Sequence, residues 1–409
     1  MRLVLYEIKK LTSSKLFIIS TLIVAALYVF IMAADFGEDA RMAGGFADYI
    51  NTRVPDTVTP AFAGELTAKD NYNPDDAAND PQINVTYWTE DAISRQLNYA
   101  ESFRKDMIKT VNNAIQLRND AAAAGNSYEQ AYNEAAIRTY NSVTDISLID
   151  GSSAEMFFMR MHNTSSIQAV AFGPLFIMWA VLLTAYLMCC ERGSRTDYIS
   201  HTAKGGRGAM YLHKLAAVTV VVFAMTLLLF IAEIIYGAVI YRLNYSASIQ
   251  SVRFFEFCVY RLNILGMIAL QRFMLFTAAM FGVFCASLFS IKAATPIRGI
   301  VLGFVLVFGS YRIITLLRSL SAAEGIAQAN LARMLFPPYM IYPDEYFTSF
   351  DYGNLFGIPV PRLAVVIAMT ALLGVVCTII CTKLYGRSVD VRWKAKLLSL
   401  IKSQKHTEN

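Results

Sequence analysis

The sequence predicts an all-α integral membrane protein: six transmembrane helices, an N-terminal interfacial helix and a mainly helical extracellular domain. Three observations carry this. Six apolar stretches, at 16–34, 166–190, 215–241, 265–290, 297–317 and 363–385, meet or nearly meet the roughly 20 residues that a helix needs to cross roughly 30 Å of hydrocarbon. Hydrophobic residues make up 56% of the 409 residues and mean hydropathy is +0.42, more apolar than one soluble core can account for. The charge is also segregated. Residues 35–165 carry 20 acidic and 10 basic side chains. The short segments 1–15, 189–214 and 383–409 carry four basic against one acidic, five against two and seven against two. Short basic segments stay in the cytosol, which puts both termini and the 191–214 connection inside and residues 35–165 outside. One short outer loop breaks the rule: Arg242, Arg253 and Arg261 outweigh Glu256.

In chain order, residues 1–15 read as an interfacial helix, with Leu3, Val4, Ile8 and Leu11 toward lipid and Arg2, Lys9 and Lys10 toward headgroups. The first span has 19 apolar-core residues, longer than the roughly 7–15 of a cleaved signal, so Met32-Ala33-Ala34 is not read as a cleavage site. Residues 51–86, with Pro55, Pro60, Pro74 and Pro81, suggest turns and extended chain. From Thr89 to Asn119 apolar residues recur at helical spacing (Ile93, Leu97, Ala100, Met107, Val111, Ala114, Leu117). Gly125-Asn126 breaks the pattern, and Tyr128, Tyr132, Ala136, Tyr140 and Val143 resume it. The expectation is a helical hairpin joined to the second span by a shorter linker, serving either as a docking surface or as a self-packed cap. None of the six cysteines lies in 35–165, so no disulfide framework holds this domain. Cys377 and Cys381 share a face of the last span with no His, Asp or Glu nearby in that span, which reads as apolar packing.

The 191–214 connection contains Ser194-Arg195-Thr196-Asp197, the form of a capping box. A short polar helix should run from there to about Ala203 and stop at Gly205-Gly206. A phosphate-binding loop at 204–208 is excluded, because the spacing is wrong and no strand precedes it. Residues 318–362 hold the run LARMLFPPYMIYP, expected to form short helices in or on the outer leaflet. The tail 386–409 places Trp393, Leu397, Leu398, Leu400 and Ile401 among lysines, suiting the anionic inner leaflet.

Three charges fall within spans, where they are expensive: Glu233, Arg272 and Arg312. Counting along alternating spans at about 1.5 Å per residue puts all three in the outer third. They read either as a polar outer cavity or gate, or as a structural ion pair with a snorkelling arginine. For such a pair Arg312 is the preferred partner of Glu233, since both spans run outward and the two heights agree within about 5 Å. An intramembrane enzyme is excluded: the apolar cores hold no Ser–Lys, His-Glu-x-x-His or Asp–Asp arrangement, and all four histidines lie near span ends or in soluble segments.

In this order the features resemble a permease subunit of type-2 ABC transporters, in a branch with a large extracellular domain between the first and second spans. The opening MRLVLYEIKKLTSSKLFIIS is similar to that family's interfacial helix. The segment ERGSRTDYISHTAKGGRGAMYLHKLAA is similar to its coupling segment, and LARMLFPPYMI to its Pro-containing outer segment. The resemblance implies coupling to an ABC ATPase through Ser194, Asp197, Tyr198 and His201. It also implies a second permease copy or related permease, and export of a drug, peptide or lipid-like substrate across a bacterial plasma membrane by alternating access. No cofactor is expected in this chain, which has no Walker A motif; ATP and Mg would sit on the partner. No nucleic-acid partner is expected. The competing reading is a membrane sensor or mechanotransmitter acting through the extracellular domain.

Overall fold

The computed structural model describes residues 2–34, 81–141, 148–161, 172–193, 206–256, 258–292, 296–321, 336–341, 344–347 and 352–387. They form α1 (Arg2–Thr12), α2 (Lys15–Ala34), α3 (Pro81–Ala123), α4 (Ser127–Tyr140), α5 (Leu148–Met161), α6 (Gly173–Gly193), α7 (Gly206–Ile240), α8 (Ile264–Lys292), α9 (Pro296–Ser321) and α10 (Arg362–Arg387). A two-stranded antiparallel sheet, β1 (Tyr352–Leu355) and β2 (Ile358–Pro361), precedes α10 and qualifies the all-α expectation. Among the described residues five helices are long and apolar enough to cross a membrane, namely α2, α6, α7, α8 and α10. Helix α9, of 26 residues, covers the expected fifth span, and among the described residues its apolar stretch is Ile297–Gly309.

Helix α8 is the centre of the bundle, packed by α6, α7, α9 and α10. Its buried side is mainly apolar, with Met267, Ile268, Met274, Ala278, Val283 and Ala286 fully buried, and also carries Gln271, Arg272, Thr277, Ser287 and Ser290, while Leu265 and Phe273 lie on its open side. Helix α2 is held loosely, its contacts falling mainly on α6: Trp179 donates to Thr21 at 3.2 Å, and the Tyr28 and Phe172 rings lie 4.9 Å apart. Ser14 ends α1 and begins α2 at once. Its hydroxyl donates to the Leu11 carbonyl at 2.7 Å and accepts from the Phe17 amide at 3.1 Å, as a capping serine does.

The N-terminal helix corrects the expected facing. Leu11 is fully buried and Val4 and Ile8 pack on the core, with α1 lying against α7, while Leu3, Leu5 and Tyr6 are the exposed apolar residues. The apolar stripe is therefore spent on protein, because α7 starts nine residues earlier than the expected span, at Gly206, and offers it a surface. Gly208 lies in this extension, where a Cβ would meet Thr382 of α10 at 2.7 Å. That glycine serves close packing.

The helical hairpin is present and longer than its periodicity indicated. Helix α3 begins at Pro81, so 81–86 are helical; proline is tolerated in a first turn, where its missing N–H has no partner to lose. Between α3 and α4 the chain turns at Gly125, with φ +70, and Asn126 caps α4 by accepting from the Glu129 amide at 3.2 Å. Tyr99, Phe103, Met107, Ala114, Ala136 and Tyr140 form a small core between the two helices. The expected shorter linker to the second span contains a further helix. Helix α5 buries Ala154, Phe157, Phe158 and Met161, with Phe157 against Tyr241 and Phe158 against Phe255 at ring distances of 5.6 and 5.1 Å.

The Pro-rich segment lies against the bundle. Pro337–Ile341 forms a 3₁₀ turn whose residues are all buried, packed chiefly against α8, with the Phe336 ring 6.0 Å from that of Phe281. Phe281 lies 17 residues into α8, about 25 Å from its first residue. At that depth irregular backbone is tolerated only where protein encloses it, and here protein does. The chain then climbs to place Phe347 beside Phe255 and Tyr260, near the hairpin end.

Candidate functional site

Glu233 and Arg272 meet. Glu233 lies seven residues before the end of α7 and Arg272 eight residues after the start of α8, so both sit about 10–12 Å inside the hairpin end of the bundle. The apolar runs around them (Phe230, Ile231, Ile234 and Ile235; Phe273, Met274 and Leu275) keep both segments helical whatever the charge does. Arg272 Nε donates to Glu233 Oε2 at 2.5 Å, and Nη2 donates to Oε1. This is the bidentate fork in which guanidinium and carboxylate fit best. Glu233 is fully buried and Arg272 nearly so. The guanidinium carbon stands 6.0 Å from the centroid of Tyr28 on α2, at the outer limit of cation–π attraction. The pair thus ties α7 to α8 and touches α2.

The preferred partner is corrected. Arg312 is exposed on α9, and α9 packs on α8 and α6 whereas α7 packs on α8 and α10. Height along the span agrees for both arginines; only adjacency of helices separates them. Ser194, Asp197, Tyr198 and His201 lie outside the described residues, as do residues 35–80 and the tail 388–409.

At the opposite end the structure places polar residues that sequence reasoning passed over. Lys214, counted with a basic loop, is fully buried in α7; its Nζ lies 3.5 Å from the Tyr385 hydroxyl and 5.9 Å from that ring's centroid. Tyr211 and Ser287 share a hydrogen bond at 3.1 Å, and Ser287 lies 3.8 Å from the Cys381 thiol. These contacts join α7, α8 and α10. The available signal was the tyrosines: Tyr211 and Tyr385 are the amphipathic residues near two span ends that can give a buried lysine both a ring and a hydroxyl.

The hairpin joins the bundle through the loop 241–263. Tyr99 donates to the Gln250 carbonyl at 2.7 Å, Arg261 donates to the Arg138 carbonyl at 3.2 Å, and the Tyr132 and Tyr352 rings lie 6.3 Å apart. Gln250 holds the loop in turn, donating to the Tyr260 carbonyl at 3.0 Å and accepting from Ser248 at 2.7 Å. Arg253 lies 3.5 Å from Glu155 of α5. The basic loop that broke the charge rule therefore faces the acidic domain. Burial raises Glu155 above the usual carboxylate range, against the pull of Arg253 and Arg95; burial and then Asp106 raise Glu256. Burial pushes the Cys258 thiol up to about 12.

None of these clusters offers an activated nucleophile or an acid–base pair, and among the described residues no group of three His, Cys, Asp or Glu side chains is placed to hold a metal. What the arrangement can do is fix helices against one another at both ends of a bundle. Fold and site together define a class, a mostly helical chain with five membrane-length apolar helices, consistent with a multi-pass membrane protein. Comparison with protein-family models, curated proteins and solved structures finds no match.

Proposed function

We propose that the chain is the membrane-spanning permease subunit of an ATP-driven exporter, with six spans, α9 included, and with the ATPase on a separate subunit. The observation that carries this reading is the arrangement around α8. A Pro-rich segment re-enters deep along it, an ion pair locks it to α7 near one end, and a polar contact between α7 and α10 lies near the other. Separable polar contacts at both ends of a bundle suit the exchange of two arrangements that alternating access requires. The resemblance of 191–214 to a coupling segment supplies the drive, with Ser194, Asp197, Tyr198 and His201 meeting a groove in the ATPase. In this reading both termini are cytosolic and the α3–α4 hairpin stands outside.

Purification of the tagged full chain from native membranes tests it. An ABC-type ATPase should accompany the chain and hydrolyse ATP. Ser194→Ala costs a helix cap about 1 kcal/mol, and Ile199→Gly weakens the same helix by about 1 kcal/mol more, so the double variant should lose most of the bound ATPase. Undiminished ATPase binding by that variant would remove the coupling assignment, and absence of any ATPase from the native complex would remove the function. The second reading, a sensor acting through the hairpin, is favoured by the hairpin's fixed seat on the 241–263 loop; a chain that purifies without hydrolytic activity would return to it.

A further inference from the structure

Gln271 is nearly fully buried, and neither its Nε2 nor its Oε1 has a hydrogen-bond partner. A side-chain amide left so inside an apolar bundle is costly, because it gives up its hydrogen bonds to water and receives none in return. Its direction is fixed by the helix. At about 100° per residue, Gln271 lies roughly 160° round α8 from Phe273, the lipid-open side. It shares instead the stripe of Met267, Ile268, Met274, Leu275 and Ala278, all buried. Its immediate neighbour in the chain is Arg272, whose guanidinium is turned to Glu233. The amide thus points into protein, seven residues, or about 10 Å, from the hairpin end of α8.

We propose that Gln271 is a hydrogen-bonding residue for the transported solute, taking a solute group that both donates and accepts, as a peptide amide does. The proposal deepens the exporter reading and rests on it. A carboxamide offers one acceptor and two donors in one plane, so it matches another amide with two parallel hydrogen bonds. A purely apolar or purely anionic solute would leave half of it unmatched. The adjacent ion pair pairs within itself, whereas the Gln271 carboxamide has both donor and acceptor capacity to give. A solute amide reaching it from the hairpin side would complete the site, and its departure would restore the unmatched state, so the group favours occupancy without holding the solute permanently.

The test uses the full chain in lipid nanodiscs. Gln271→Cys, with the six native cysteines replaced by alanine, is labelled with a small water-soluble thiosulfonate. The probe is the capped dipeptide N-acetyl-alanyl-alanine amide, and the control is an alkyl alcohol of similar size. Because cysteine removes the amide, the probe is tested in parallel on the chain with glutamine at 271, reading its effect on labelling of Met267→Cys one turn away. Labelling at both positions, slowed about tenfold at 267 by the peptide and not by the alcohol, is the expected result; one well-placed hydrogen-bonded group supports a ratio of that order. Gln271→Leu should abolish the protection while raising the melting temperature by a few degrees or leaving it unchanged, roughly as removal of an unmatched polar group does. No labelling at 271 would overturn the proposal by showing the position sealed. Labelling without peptide protection would overturn it by leaving water as the occupant. The chain alone suffices, so these outcomes are independent of whether an ATPase accompanies it.

Discussion

Replacing Glu233 by glutamine (Glu233→Gln) leaves the Arg272 guanidinium buried and stripped of its counter-charge, while Arg272→Met leaves a carboxylate in the same position. The structure sets the scale. Glu233 is fully buried and the pair is bidentate, and removing one partner of such a pair costs about 3–5 kcal/mol. The membrane lowers this toward the bottom of the range, since charges near a span end can be reached by water and headgroups at about 2.5–3.5 kcal/mol or less. About 3 kcal/mol for each single variant is therefore expected. The double variant Glu233→Gln, Arg272→Met carries no buried charge, and its cost should fall to roughly 1 kcal/mol, the residue being an unmatched amide. The coupling energy is then about 5 kcal/mol, large enough to read as thermal inactivation of the purified chain and as its level in the membrane. Arg312→Met is the control and should change stability by less than about 0.5 kcal/mol, as exposed substitutions do. Single costs that simply add in the double variant would show that the two residues do not stabilise one another, and a large effect of Arg312→Met would restore the partner expected from height alone.

Two further outcomes are expected. Glu155 and Glu256 are held above their usual range by burial, so the folded state binds their protons more tightly than the unfolded chain does. The stability they contribute is complete below the usual carboxylate range and is lost as pH rises through the raised values. Lowering the pH from about 7 to about 5 should raise the exchange protection of α3 and α4, after division by the intrinsic exchange rate at each pH, and Glu155→Gln with Glu256→Gln should flatten that dependence; lower protection at the lower pH would contradict it. Asn126→Cys, at the hairpin turn, should react with a membrane-impermeant thiol reagent in intact cells, and reactivity appearing only after lysis would invert the topology.

What the sequence made legible is what depends on one helix at a time. The hairpin showed because Met107, Val111 and Ala114 repeat at helical spacing and Gly125 with Asn126 marks a turn, whereas Tyr99 and Phe103 complete that core without having been counted in the pattern, and Leu117, which was, is exposed. Heights within the bundle were legible too, since rise per residue is constant: the Glu233 and Arg272 levels agree in the structure. Which helices stand side by side was not, and that alone misassigned Arg312. Helix α5 was missed because Gly151, Ser152 and Ser153 dilute its first turns, although Phe157 and Phe158 are core. The β-hairpin was missed because its turn is Phe356-Gly357, with Phe356 at φ +53, where Asn-Gly or Asp-Gly is the recognisable pair. The facing of α1 could not be read because lipid and α7 present the same apolar character to Leu11.

The seat of the hairpin bears on how the chain is made. Ribosomes deliver Glu155 and Arg138 about a hundred residues ahead of Arg253 and Arg261, or roughly 5–20 seconds at about 5–20 residues per second. In the proposed topology, with the hairpin outside, translocating two arginines against the usual bias of the insertion machinery costs free energy, and Glu155 and the Arg138 carbonyl precede them to the far side. The acidic domain thus acts as a counter-ion laid down in advance. In that topology, interchanging the two segments in the gene, with every contact kept in the final fold, would leave those arginines with nothing waiting for them and favour retention of the loop on the inner face.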